Sequence, residues 1–139
     1  MPAAWLTLGE MIRVNATKYP DNVAIADETR SYTYPETDGR TRRLAGALGA
    51  LGLSKGDKVA MFLDNSIEIC EVYWACAKAG LVAVPINFRC VASEVAYIME
   101  HSEAKALVAH DEFVPMIESV RGRLRGVVPG GWIVVGREA

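Results

Sequence analysis

Apolar positions along this chain follow two rhythms, one spaced at three or four residues and one of short unbroken runs. Leu6, Leu8, Met11, Ile12 and Ala16 keep helical spacing, and Pro20 closes that segment. "VAIA" and "SYTY" then flank the polar gap "DETR", which predicts a β-hairpin over Val23–Tyr34. Pro35 suits the first position of a helix, where its missing N–H costs nothing, with Glu36 and Asp38 favouring the same end. Leu44, Ala47, Leu48 and Leu51 line one face of that helix, and Gly52 supplies its stop. Gly39, Gly46 and Gly49 weaken it, and close packing is the expected compensation.

From here the second rhythm takes over. Continuous apolar runs occur at Val59–Leu63, Leu81–Pro85, Lys105–Ala109 and Trp132–Gly136. Helices are expected between them. One runs over Ile67–Ala79, capped by Asn65 or Ser66 and ended by Gly80. A second runs from a Ser93 cap to about His101, and a third from an Asp111 cap to about Arg125. In the first of these, Glu68, Glu71, Ala75 and Lys78 fall in one narrow arc, a small wet face on an otherwise apolar helix. Runs that do not alternate mark parallel strands covered on both faces. The prediction is an α/β fold: a parallel sheet of about four strands with helices on both faces, preceded by an amino-terminal helix and a β-hairpin.

Composition adds little to this picture. The chain has 139 residues, the size of one ordinary domain, and a net charge of −2. This balance argues against nucleic acid as a partner. Counting glycine and leaving out tyrosine, about 56% of residues are apolar, above the usual ~45–50%, so some apolar surface is expected to meet something outside these residues. No apolar run is long enough for a membrane span, and the first twenty residues do not read as a signal peptide. Cys70, Cys76 and Cys90 have no C-x-x-C spacing and read as reduced thiols of a cytoplasmic protein, with Cys76 buried.

Candidate chemistry is sparse. Pro85 ends its strand at the carboxyl edge of the sheet, where ligands of open α/β folds bind, and this places Asn87 and Arg89 near a substrate path. The commoner role of a loop arginine is structural, and Arg89 would then satisfy nearby carbonyls or a carboxylate. His101 and His110 read as surface histidines, with no clustered carboxylates and no metal site. Pro129–Gly131 precedes a strand and reads as a turn, not a phosphate cradle. Arg40, Arg42 and Arg43, and likewise Arg121, Arg123 and Arg125, read as solvated helix faces.

An ordered series of stretches nevertheless resembles a known family. "YPDNVAIAD", "YTYPETDGRTRRLAGAL", "GLSKGDKVAMFLDNSIE", "AKAGLVAVPINFR" and "SEVAYIMEHSEAKALVA" look like the amino-terminal part of the adenylate-forming (AMP-binding) enzymes, in their acyl-CoA synthetase-like branch. The resemblance implies a ligase in which ATP and a carboxylic acid give an acyl-adenylate and a thiol, commonly that of coenzyme A, displaces AMP. ATP, Mg and CoA are thereby implied for a full-length enzyme and none for this portion. The family's Ser/Thr/Gly-rich loop ending in Pro-Lys-Gly does not occur here, so residues 1–139 read as a fragment of the large domain with no catalytic residue of its own. Its partners would be the remainder of its chain and, through a bare sheet edge, a second copy in a homodimer. Thr37 and Cys90 stand where the family commonly has Leu. The alternative is a self-contained doubly wound binding or interaction module without catalysis.

Overall fold

The computed structural model describes residues 6–136. Helix α1 (Leu8–Lys18) leads into an antiparallel hairpin of β1 (Val23–Ala26) and β2 (Ser31–Thr33), then α2 (Tyr34–Ala50). The sheet follows as β3 (Lys58–Phe62), α3 (Ile67–Ala79), β4 (Val82–Pro85), α4 (Ala92–Ser102), β5 (Ala106–His110), α5 (Val114–Val120) and β6 (Trp132–Val135). Its four strands are all parallel, in the order β4-β3-β5-β6. The predicted α/β architecture is therefore observed, hairpin included.

The unbroken strands divide their side chains between two cores. Val59, Met61 and Leu63 of β3 and its end, with Ala106 and Val108 of β5, face Leu48 of α2 and Val72, Ala75 and Cys76 of α3. The alternate residues Ala60, Phe62, Leu107 and Ala109 face Val95, Ala96 and Met99 of α4 and Ile117 of α5. A strand buried on both sides has no need of polar alternation. Phe62 also meets Phe113, ring centres 4.4 Å apart.

Caps set the helix ends. Thr33 and Glu36 form a reciprocal pair at α2: the Thr33 N–H donates to Glu36 Oε2 at 2.8 Å, and the Glu36 N–H donates to Thr33 Oγ1 at 3.4 Å. Pro35 thus lies in the first helical turn, just inside Tyr34. Ser66, not Asn65, caps α3 by accepting the Ile69 N–H, and Gly80 closes it in the left-handed region at φ 70°.

Three expectations need correction. Ser93 does not cap α4; the helix starts at Ala92, and the Val91 N–H donates to Glu94 Oε2 at 2.9 Å. The helix expected from Asp111 to about Arg125 is shorter and divided. Pro115 fits only a first turn, so α5 begins at Val114 after a 3-10 turn over Asp111–Phe113. A second 3-10 turn, Arg121–Arg123, contains Gly122, a poor helix former. Nor do the glycines of α2 mark close packing. A Cβ at Gly46 or Gly49 would meet nothing within 4 Å, and at Gly39 only the Arg43 side chain. Close approach occurs instead at Gly9, where α1 crosses the Ala77 carbonyl of α3.

The stripe expected to be wet on α3 is an ionic seam. Glu68 pairs with Arg30 at 2.6 Å, Glu71 with Arg40, and Lys78 with Asp38 at 2.6 Å. Arg40 also lies 4.4 Å over the Tyr32 ring, so it is no solvated helix-face arginine. Asp38 and Glu71 are each only 7% exposed, which leaves the pairing indispensable once the charges are inside.

Candidate functional site

The strand order fixes where a crevice must lie. After β3, the chain crosses by α3 on one face to β4, then returns by α4 on the opposite face to β5 on the other side of β3. The connections diverge between β3 and β5, and ligands of open α/β sheets bind beyond the carboxyl ends at such a point.

A crevice of about 280 Å³ occupies that position. Asp64, Asn65 and Ser66 enter from the end of β3, His110 from the end of β5, and Val135 and Gly136 from the end of β6. The hairpin turn faces them with Asp27, Thr29 and Arg30.

His110 is 3% exposed, so its reading as a surface histidine is corrected. Its Nδ1 accepts the Asp64 N–H at 3.2 Å and lies 2.9 Å from Asp64 Oδ1. The nitrogen serves one of these at a time: unprotonated it accepts from the amide, protonated it donates to the carboxylate. Asp64, His110 and Glu112 bring ligand atoms within 4.8 Å of one another, so carboxylates do cluster at this histidine. An imidazole with two carboxylates suits a zinc-class cation better than Mg²⁺, which prefers oxygen and water.

Across the crevice, Arg30 is fully engaged. Its guanidinium donates to Asp27 Oδ2 at 2.8 and 3.1 Å and to Glu68 at 2.6 and 3.3 Å. Glu68 and Asp27 raise its pKa above the ordinary arginine value. Asp27 in turn accepts the Thr29 and Arg30 amides at 2.9 and 2.7 Å; these bonds and the guanidinium hold its carboxyl well below the usual range. At Glu68, burial pushes the pKa up, but the Arg30 bond and charge outweigh it, and the net direction is down. The crevice does not fit a polyphosphate: its one arginine is already neutralised, and Asp27, Asp64 and Glu68 bring three carboxylates to the lining.

Asn87 and Arg89 lie elsewhere. They follow β4, an edge strand, and do not line this crevice. Asn87 Oδ1 accepts the Arg89 N–H at 3.0 Å, fixing a tight turn, and the exposed Arg89 guanidinium lies 5.6 Å from the centre of the Phe88 ring. His101 stacks on Tyr97 with ring centres 5.6 Å apart in the last turn of α4, as expected of a surface histidine. Gly130, at φ 78°, makes the Pro129–Gly131 turn before β6. Cys76 is buried as expected, and burial pushes its thiol up to about 11.

Fold and crevice define an open, doubly wound α/β layer whose chain reverses between β3 and β5. The family model for the AMP-binding enzyme matches residues 12–134, and the chain belongs to that family. Among relatives, the long-chain-fatty-acid–CoA ligase FadD13 of Mycobacterium tuberculosis is 36% identical over 118 residues, covering 84% of this chain and 24% of that protein. The fatty acid–[acyl-carrier-protein] ligase ScoC of Streptomyces coeruleorubidus is 37% identical over 114 residues, covering 82% of this chain and 22% of that one. The inhibitor-bound amino-terminal domain of FACL13 from Mycobacterium tuberculosis superposes with a TM-score of 0.88 at 34% identity, over 94% of this chain and 34% of that domain. The chain thus spans about a quarter of the length of the two ligases it matches. No helix among the described residues is long and apolar enough to cross a membrane.

Proposed function

We propose that these residues are the amino-terminal portion of an AMP-forming acyl-CoA ligase, and that their role is scaffolding. In the whole protein, ATP and a carboxylic acid would give an acyl-adenylate and pyrophosphate, and the thiol of CoA would then displace AMP. A carboxylate is a poor electrophile, and the adenylate supplies it with a good leaving group. ATP, Mg²⁺ and CoA would be handled by the longer polypeptide in the cytoplasm. This portion contributes the two-sided sheet and, at its β4 edge, Asn87 and Arg89 as one wall of the substrate path. A fatty acid is the substrate class favoured by the relatives' names. The observation that carries the reading is the match of more than four fifths of the chain to about a quarter of each ligase. The unfilled edge of β6 would also let isolated copies pair as a homodimer.

Titration calorimetry of the 139-residue chain with ATP, AMP and CoA tests the scaffold role. No micromolar binding is expected, and adenylation by this chain alone would overturn it. Arg89→Ala in the longer ligase is expected to raise KM for acid or thiol by about fivefold or more at unchanged stability. Unchanged kinetics would remove Arg89 from the path. A self-contained module would instead form a discrete assembly with a second protein, with no Pro-Lys-Gly loop encoded downstream.

A further inference from the structure

The β1–β2 hairpin is built unlike the rest of the molecule. It is a two-stranded sheet of four and three residues, separate from the main sheet, with a register shift between Val23 and Ile25. No residue of either strand belongs to the two cores, and none is fully buried. Two-stranded hairpins of this size are marginal alone. β2 runs without a linker into α2 at Thr33–Tyr34, so the hairpin has a fixed root. Near that root, Tyr32 lies under Arg40. At the tip, Arg30 reaches across the crevice to Glu68 of α3.

We infer that the hairpin is a strap over the crevice at the ends of β3 and β5, latched by Arg30 and able to open from its root while the sheet stays folded. Asp27 orients the guanidinium within the tip, and Glu68 receives it on the body. With the latch closed, Asp27, Thr29 and Arg30 form one wall of the space holding the Asp64–His110 pair. With it open, that wall is gone, and access to His110 is set by the Arg30–Glu68 contact. A strap that rests on α2 but lies outside both cores belongs at the low-stability end of the molecule, whereas β3 and β5, enclosed on both faces, belong at the high end. This inference is independent of the ligase reading.

Hydrogen exchange followed by mass spectrometry on the 139-residue chain tests it. In the unmodified protein, amides of β1 and β2 are expected to exchange at least about tenfold faster than those of β3 and β5. Arg30→Gln and Glu68→Gln are each expected to raise the hairpin rates a further three- to tenfold or so, with β5 unchanged. The unchanged β5 rate shows that the variants remain folded. Hairpin amides exchanging in step with β5 in the unmodified protein would overturn the inference. So would variants that leave the hairpin rate unaltered, or that accelerate hairpin and β5 alike.

Discussion

Replacing Gly9 with alanine tests the packing of α1 more sharply than any larger change. A Cβ built there lies 2.6 Å from the Ala77 carbonyl oxygen and 2.8 Å from the Ala77 carbonyl carbon and the Lys78 Cα. All three atoms are backbone, so none can rotate away. Restoring ordinary contact requires α1 to retreat from α3 by about 0.8 Å, which loosens the contacts made by buried Ile12. Overpacking of this kind costs about 1–3 kcal/mol, against at most about 1 kcal/mol gained in helix propensity. Gly9→Ala should therefore destabilise by roughly 1–2 kcal/mol. The control is the same substitution at Gly46, exposed in α2, where a Cβ meets nothing within 4 Å. Gly46→Ala should stabilise by up to about 1 kcal/mol. Urea midpoints and thermal melting read both, at roughly 3–5 °C per kcal/mol for a chain of this size. Equal and positive shifts for the two variants would refute the description of α1 lying against α3.

Thr37 is 2% exposed, and its Oγ1 has no hydrogen-bond partner among the described residues. Thr37→Val keeps the shape and should stabilise by about 1 kcal/mol in urea unfolding. Lys78→Ala leaves the buried Asp38, among the described residues, with only Arg42 at 3.9 Å as a cationic partner and should cost about 3 kcal/mol. The double change Lys78→Met with Asp38→Met should recover most of it in a double-mutant cycle. Acid should weaken the latch. Glu68 titrates below its ordinary 4.5 in the folded state, so its contribution is full above that pH and is lost as pH falls through the folded value. The urea-midpoint gap between the unmodified protein and Arg30→Gln should accordingly narrow as pH falls below the ordinary 4.5 and through the lowered folded value.

Periodicity made the sheet legible because each strand is an unbroken apolar run and the first three helices carry their own stops, at Pro20, Gly52 and Gly80. Ends were harder. The capping box was present in the letters Thr33-Tyr-Pro-Glu36, and Pro115 stood inside the helix expected from Asp111, yet both depend on one or two residues against a long pattern. The crevice was not legible. His110 and Asp64 are 46 residues apart, and only the strand order brings them together. One signal was available: "ALVAH" ends a fully apolar strand on a titratable residue at the carboxyl edge of the sheet. Arg30 and Glu68 gave less, since a hairpin turn and an amphipathic helix each suggest charges in water, and nothing local announces that they meet.

The three charges along α3 also determine how far that helix can slide. Two acidic positions followed by a basic one face two guanidiniums and a carboxylate, and this order of signs accepts a single alignment. Advance α3 by two turns and Glu71 stands opposite Asp38, two anions out of water. Small apolar side chains such as Ala75 and Cys76 would tolerate several alignments; the electrostatic key tolerates one. The height at which Ser66 and Asp64 come in above the strands is thus set by a code of charges read along the whole length of α3.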